Sequence, residues 1–245
     1  MPRSRTAVVL AGLAACVSAA ASAEPVRPVV VELFTSQSCY SCPPAEAFLG
    51  ELASRPGIVE LEWHVDYWND ITYGSAGQWV DPFSSPEATE RQVLYNQAIR
   101  GTGAVYTPQM VIDGRTEAIG SRRDEVEAAL SEASAAAPGG PSVAIAAAGT
   151  RMEVTVEGSA AAPAEVWLVR YLTERLTEVP RGENHGKDLA NHHVVIGVER
   201  LGPWSGGAAR FTAATPVPGE GCAVLLQASP AAPITAAALC PQPQS

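Results

Sequence analysis

Positive charge is scarce in this chain of 245 residues: 16 lysines and arginines stand against 26 aspartates and glutamates, which gives a formal net charge of −10. An acidic protein repels polyanions, so this balance argues against nucleic acids and anionic membrane surfaces as partners. The sequence also contains no internal repeat and no convincing nucleotide-binding motif. We predict no bound cofactor, and we predict no resident metal because the spacing of the histidines matches no standard site.

Long apolar runs are limited to the N-terminus. Arg3 and Arg5 precede a short apolar stretch at residues 8–16, and the small residues Ala21-Ser22-Ala23 follow it. This order is typical of an export signal, and the apolar stretch is too short to span a bilayer. We predict that residues 1–23 are a signal peptide and that the mature protein is periplasmic or secreted, with no transmembrane span.

A second processing route remains open at the same end of the chain. Residues 13–16, Leu-Ala-Ala-Cys, resemble a bacterial lipobox, in which Cys16 would be lipidated and become the mature N-terminus. We favour cleavage after Ala23 because the A-x-A pattern there is well formed. On either route, Cys16 is not available for a disulfide bond.

Cysteine is rare as well, and only four cysteines remain in the mature chain: Cys39, Cys42, Cys222 and Cys240. An even number fits an exported protein in an oxidising compartment. Four cysteines allow three pairings, and the most local one joins Cys39 to Cys42 and Cys222 to Cys240. The second of these bonds would be structural and would contribute about 3 kcal/mol in the chain-entropy model.

The remaining features are organised around Cys39-Tyr40-Ser41-Cys42. The apolar run at residues 29–34 leads into this motif, and Pro43-Pro44 with a helical pattern follows it. A helix N-terminus favours the thiolate, which is the nucleophile in disulfide exchange. The arrangement predicts a redox dithiol in which Cys39, the more N-terminal and more exposed thiol, attacks and Cys42 resolves the mixed disulfide. The alternative is a static disulfide without turnover.

Strand and helix signals alternate along the first half of the mature chain. Predicted strands cover residues 29–35, 58–65, 106–113 and 116–119, and predicted helices cover residues 44–54, 87–100 and 122–135. This order resembles the α/β thioredoxin-like fold with a helical insertion. In that fold a proline, usually cis, precedes the third strand beside the dithiol, and Thr107-Pro108 takes that place here. We predict that Thr107 and Pro108 form the substrate-binding backbone.

The second half of the chain has a different character. After an Ala/Pro/Gly linker at residues 133–141, six alternating segments are predicted as strands: residues 142–148, 151–157, 165–173, 193–200, 208–213 and 222–228. Short strands separated by turn signals indicate a small antiparallel sandwich. We therefore predict a thioredoxin-like domain over residues 24–137 and a β-rich domain over residues 138–245.

Several motifs resemble a known family: residues 31–45, 64–68, 81–83, 89–92 and 105–109, with Arg-Gly-Glu-Asn at 181–184 and Gly186 further on. The chain is similar to domain of unknown function 1223, a family of secreted bacterial proteins placed in the thioredoxin-like superfamily. Ser38 and Tyr40 replace what are commonly glycine and a small residue, and neither change removes a thiol. The resemblance implies a fold and a dithiol, but no substrate.

Other polar and aromatic residues have two interpretations each. His64 and Asp66 lie near a predicted strand end that faces the dithiol, where they would either tune proton transfer or only pack. The histidines His185, His192 and His193 suggest copper or zinc, with Glu183 or Asp188 as further ligands. Their spacing matches no standard site, so we favour solvent-facing or turn-stabilising roles. The aromatic residues Trp63, Trp68, Trp79 and Tyr106 would suit a groove, but they remain unassigned.

The function predicted from the sequence is dithiol–disulfide exchange by Cys39 and Cys42 with an unknown protein or a small thiol. Two alternatives belong to other classes. One is a non-catalytic periplasmic binding module, and the other is copper handling through the two thiols.

Overall fold

The computed structural model describes residues 27–136 and 140–241. The predicted signal peptide and Cys16 therefore lie outside the described residues. Along the chain, the elements are β1 (Val29–Thr35), α1 (Pro43–Ala53), β2 (Ile58–His64), a short 3-10 helix (Gly74–Ala76), α2 (Pro86–Arg100), β3 (Gln109–Ile112), β4 (Thr116–Ile119), α3 (Arg123–Ala135), β5 (Ser142–Ala148), β6 (Arg151–Glu157), β7 (Ala164–Glu178), β8 (Asp188–Trp204), β9 (Ala209–Ala214), β10 (Glu220–Gln227) and β11 (Ile234–Leu239).

A mixed sheet of eight strands, in the order β11-β10-β7-β8-β2-β1-β3-β4, forms the centre of the molecule. Strand β2 pairs in parallel with β1 on one side and with β8 on the other, and the other pairs in this sheet are antiparallel. Strands β5, β6 and β9 form a second sheet, and β6 packs with β7 and β10 in one apolar cluster.

The predicted α/β thioredoxin-like fold with a helical insertion is wrong. The described residues are mostly β, and one large sheet combines early and late strands. The individual elements of the first half lie close to their predicted positions. The error concerns the strands of the second half, which extend the same sheet beyond β2. Whether the chain divides into two parts near residue 137 stays a prediction, although strands from both sides of that boundary pair within the large sheet.

Strand β1 lies inside the large sheet and is buried on both faces. Val31 and Leu33 pack with α1 and α3, whereas Val30 and Phe34 pack on the opposite face, where α2 lies. Successive side chains of a strand point to opposite faces, so a strand covered on both sides needs a continuous apolar sequence. This requirement explains why β1 is evident in the sequence.

The junction between β2 and β8 explains why the larger sheet is not evident. The two strands are paired at Glu62 and Val194, and three polar residues near this pair are buried: Glu60, Glu62 and Asn191. A hydrophobic pattern does not predict a sheet junction that includes buried polar side chains. Strands β7 and β8 also extend to 15 and 17 residues, well beyond the predicted segments.

The helix ends are defined by local chemistry. Pro43 lies in the first turn of α1, where its missing N–H has no intrahelical acceptor. Ser85 caps α2 by accepting a hydrogen bond from the N–H of Ala88, and Gly101 ends that helix in the left-handed conformation. Within the described ranges, no helix is long and apolar enough to cross a membrane.

Candidate functional site

The dithiol lies in the loop between β1 and α1. Cys39 and Cys42 are joined by a disulfide bond, with their Cα atoms 5.4 Å apart. Cys42 is the residue that precedes α1, and its carbonyl accepts hydrogen bonds from the N–H groups of Ala45 and Glu46, at 2.9 and 3.2 Å. The disulfide therefore lies at the positive end of a helix, where a thiolate is favoured.

The structure does not support the expected difference in exposure between the two thiols. Cys39 and Cys42 are both 0% exposed, whereas Tyr40 between them is 62% exposed. The hydroxyl of Ser41, also on the surface, lies 3.4 Å from Cys39 Sγ. The expectation that Cys39 is the more exposed thiol is wrong, and neither thiol is accessible to a partner in this conformation.

The segment between β7 and β8 holds this loop in place. The side-chain amide of Asn184 donates to the carbonyls of Gln37 and Cys39, both at 2.9 Å, and the Glu183 carboxylate accepts from the N–H of Tyr40 at 2.7 Å. The Lys187 ammonium lies 4.2 Å from the centre of the Tyr40 ring. The Arg-Gly-Glu-Asn motif, which the sequence singled out without a role, therefore braces the dithiol loop.

A buried chain of charged groups lies behind the loop. His64 is placed between two carboxylates, with Nδ1 2.7 Å from Asp81 Oδ2 and Nε2 3.2 Å from Glu62 Oε1. Burial opposes the charged imidazole, but Asp81 and then Glu62 outweigh it and raise the pKa of His64 well above its ordinary value. Asp81 also accepts a hydrogen bond from the N–H of Gln37 at 2.7 Å, so these buried charged groups are bonded directly to the dithiol loop.

The pKa of Asp81 shifts in the opposite direction. Burial alone would raise it, but the charge and hydrogen bond of His64, together with the N–H groups of Gln37 and Phe83, outweigh burial and lower the pKa. The two shifts together favour a His64 imidazolium paired with an Asp81 carboxylate.

Glu46 is the carboxyl group nearest in sequence to the dithiol, one helical turn after Cys42. It is buried, and the hydroxyl of Thr35 donates to its Oε1 at 2.7 Å. Burial, followed by the nearby Glu62 carboxylate, raises the pKa of Glu46 to about 8. Most of the Glu46 side chains are therefore protonated at pH 7. Sequence reasoning missed this residue, because an acidic residue in the first turn of a helix is usually exposed.

Strand β8 completes the buried cluster through Glu62. The Asn191 amide donates to Glu62 Oε1 at 2.7 Å, and the N–H of His192 donates to Oε2 at 2.8 Å. Asn191 also accepts a hydrogen bond from the side chain of Gln37 at 3.0 Å. The polar residues at the β2–β8 junction thus connect the centre of the sheet to the dithiol loop.

Thr107 and Pro108 lie at the end of the sheet where β1 leads into the dithiol loop. The peptide bond between them is cis, and the next residue, Gln109, pairs with Phe34. The same register continued by one residue places Pro108 opposite Thr35. Thr107 Oγ1 accepts a hydrogen bond from the Trp68 indole at 2.9 Å.

Three other predicted residues, Cys222, Cys240 and Asp66, lie apart from the dithiol. Cys222 and Cys240 form a disulfide between β10 and the residue after β11, within an apolar cluster. Asp66 bonds instead to Thr89 of α2, at 2.6 Å.

The three late histidines do not converge. His185 is exposed, His192 bonds through its backbone to Glu62, and His193 Nδ1 lies 2.5 Å from the buried Glu60. The part of the chain that the structure describes contains no group of three or more His, Cys, Asp or Glu side chains arranged to hold a metal ion.

The family model described as "Protein of unknown function (DUF1223)" matches residues 30–227. The chain is also similar to the crystal structure of protein AGR_C_4864 from Agrobacterium tumefaciens, with 30% identity and a TM-score of 0.74 over 89% of this chain and 95% of that one. HBP35 of Porphyromonas gingivalis shares the fold at 11% identity, with a TM-score of 0.59 over 87% of this chain and 74% of that one. No functionally curated protein matches.

Proposed function

We propose that the protein exchanges the Cys39–Cys42 disulfide with a protein or a small thiol. The proposal rests on the site itself, because the chain belongs to the DUF1223 family, whose function is unknown. One observation carries the proposal. The disulfide lies at the N-terminus of α1, and a buried carboxyl group, Glu46, follows it by one turn. A helix end stabilises a thiolate, and a group with a pKa near the working pH transfers protons efficiently.

The exchange proceeds in two displacements that balance in atoms and electrons. In the reduced protein, the Cys39 thiolate attacks a partner disulfide, so that a Cys39–partner bond forms and one partner thiolate leaves. The Cys42 thiolate then attacks Cys39 Sγ, which forms the Cys39–Cys42 bond and releases the second partner thiolate. Two electrons pass to the partner, and the protons of the two cysteines are transferred to the released thiols. The same steps in reverse oxidise a partner dithiol.

In this scheme Glu46 carries the proton of Cys42. A buried thiol cannot lose its proton directly to water. Glu46 follows Cys42 by one helical turn, and its N–H donates to the Cys42 carbonyl. Its pKa of about 8 leaves it able both to accept and to donate a proton near neutral pH. Thr107 and Pro108 keep their proposed role as the backbone beside which the partner lies.

A second function is favoured by a different observation. Both sulfurs are buried, and Asn184 and Glu183 hold the loop tightly. These contacts suit a structural disulfide in a non-catalytic binding module, in which the bond only fixes the shape of the loop.

Trapping of the mixed disulfide distinguishes the two functions. After reduction, the Cys42→Ser variant should form a stable mixed disulfide with glutathione through Cys39, because the resolving thiol is gone. The Cys39→Ser variant is the matched control and should trap little glutathione. Equal and slow reaction of the two variants would refute disulfide exchange and favour the binding module.

We also propose that the protein is exported to the periplasm or secreted. Support comes from the two disulfides, which persist in oxidising compartments, and from the signal-like sequence at residues 1–23.

A further inference from the structure

An open cleft of about 470 Å³ lies between α1 and β8, next to the dithiol. Glu46 and Gly50 of α1 form part of one wall, and Asp188 and His192 of β8 form part of the other. The cleft also reaches Pro43, the residue that follows Cys42. It therefore connects the surroundings of the dithiol with solvent.

The buried carboxyl group of Glu46 uses only one of its oxygens in hydrogen bonds among the described residues. The hydroxyl of Thr35 donates to Oε1 at 2.7 Å. Oε2 is not one of the fully enclosed polar atoms without a partner, unlike both oxygens of Glu60. Because Glu46 lines the cleft and keeps only 2% of its surface, Oε2 is the atom through which its proton reaches the cleft.

Gly50 brings the imidazole of His192 against the same face of α1. A Cβ atom at position 50 would lie 2.7 Å from Cδ2 and 2.9 Å from Nε2 of His192, closer than such atoms approach each other. Glycine inside a helix is destabilising relative to alanine, so the space that it leaves for the imidazole accounts for its presence here. Positions 46 and 50 are four residues apart, and such positions lie about 5–6 Å from each other on one helix face. The imidazole is therefore a neighbour of Glu46 in the cleft.

Acidic side chains from four elements lie around His192: Glu46 and Glu51 of α1, Asp188 of β8, Glu174 of β7 and Glu62 of β2. Glu51 is bound to Arg123, and Asp188 and Glu174 are exposed to solvent. Burial raises the pKa of Glu46 to about 8, so Glu46 holds a proton at pH 7. Imidazole is the side chain that most readily gains and loses a proton in this pH range. The cleft thus combines a buried acid with a half-buried base.

We propose that His192 accepts the proton that Glu46 releases and passes it to solvent, so that the cleft is the proton exit of the dithiol site. This inference rests on the proposed function, in which Glu46 carries the proton of Cys42. His192 acts through Glu46 and takes no part in the displacements at sulfur.

The step balances without any change of oxidation state. The O–H bond of Glu46 breaks and leaves a carboxylate, while an N–H bond forms at the unprotonated ring nitrogen of His192 and gives an imidazolium. The imidazolium then loses its proton to water at the mouth of the cleft. Such a transfer takes place over a hydrogen bond or through one intervening water. The proton moves outward when the dithiol is oxidised and inward when the disulfide is reduced.

A pH-jump experiment on the oxidised protein tests the proposal without depending on disulfide exchange. Near pH 8, where Glu46 is half ionised, a laser pulse releases protons from o-nitrobenzaldehyde. The infrared C=O band of protonated Glu46, identified by its loss in Glu46→Gln, then reports the rate of proton uptake. In His192→Ala this rate should fall about a hundredfold, the lower end of what a positioned proton-transfer group contributes.

Rescue by imidazole separates proton transfer from a structural role. Imidazole in the buffer should enter the space left in His192→Ala and restore the rate, with a much smaller effect on the parent protein. His185→Ala removes an exposed histidine from the turn before β8 and should match the parent. If His192→Ala does not fold, Gly50→Ala provides the test, because its methyl group displaces the imidazole from a helix that alanine favours.

Three results would overturn the proposal: an unchanged rate of proton uptake, a slower rate that imidazole does not restore in His192→Ala, or no infrared band that Glu46→Gln removes. The first would show that water alone carries the proton. Trapping of glutathione by Cys42→Ser is a separate measurement, so failure of the proton exit is distinguishable from failure of disulfide exchange.

Discussion

Glu46 combines burial with an ionisable side chain one helical turn from Cys42. The cysteine pair is visible in the sequence because its spacing is local. Glu46 is not, because its burial depends on the elements that pack around α1, among them β8, which is more than 130 residues away in the chain. The same holds for Asn184, whose two bonds to the dithiol loop depend on a turn far along the chain. The sequence therefore predicts the cysteine pair but not the buried groups that surround it.

The first prediction concerns Glu46→Gln and the pH dependence of stability. The folded-state pKa of Glu46 is raised from 4.5 to about 8, so the native protein binds the Glu46 proton more tightly than the unfolded chain does. This contribution to stability is complete below pH 4.5 and is lost as the pH rises through 8, at a rate of about 1.4 kcal/mol per pH unit between the two values. In Glu46→Gln this part of the decline should disappear, whereas the part that comes from the raised pKa of His64 should remain.

Urea denaturation of the oxidised protein between pH 5 and pH 9 measures the effect. Glu51→Gln is the matched control, since Glu51 lies in the same helix but is exposed and paired with Arg123. An unchanged slope of stability against pH in Glu46→Gln would show that Glu46 titrates as an ordinary surface carboxyl group.

At the scale of elements, the β2–β8 junction determines both the fold and the site. The strands of the first half and their order were predictable, because each is a local apolar or amphipathic pattern. The pairing of β2 with β8 was not predictable, because a hydrophobic pattern does not show which strand lies next to which. The junction also contains the buried polar residues Glu60, Glu62 and Asn191. Strand β11 was missed for a related reason: its sequence, Ile-Thr-Ala-Ala-Ala-Leu, is rich in alanine, which is uncommon in strands.

The second prediction concerns the turn that braces the dithiol loop. Asn184→Ala removes two hydrogen bonds to buried carbonyls and should lower the free energy of unfolding by about 1–3 kcal/mol. It should also speed reduction of the Cys39–Cys42 disulfide by dithiothreitol, because residues 39–41 then move more easily. Rates of reduction, followed by thiol labelling, measure this effect.

His185→Ala is the control for this variant, since His185 is the next residue in the same turn and is exposed. It should leave the rate of reduction unchanged. If Asn184→Ala loses stability but its disulfide is reduced no faster than in the parent protein, the turn stabilises the fold without controlling access to the disulfide.

At the scale of the whole molecule, the two disulfides and the signal-like N-terminus agree with an exported protein. The third prediction is that mass spectrometry of the protein purified from its natural host shows a mature N-terminus at Glu24. A diacyl modification on Cys16 would instead make it an anchored lipoprotein, and dithiol exchange would still be possible in that form. An N-terminus at Met1 would contradict export by either route.

The reduction potential of the Cys39–Cys42 couple tests the central claim most directly. It is measured by equilibration with glutathione buffers, with the Cys222–Cys240 bond as an internal reference for a structural disulfide. Disulfide exchange predicts a potential above about −300 mV. A potential well below about −300 mV, equal to that of the structural bond, would contradict the account and favour a static disulfide in a binding module.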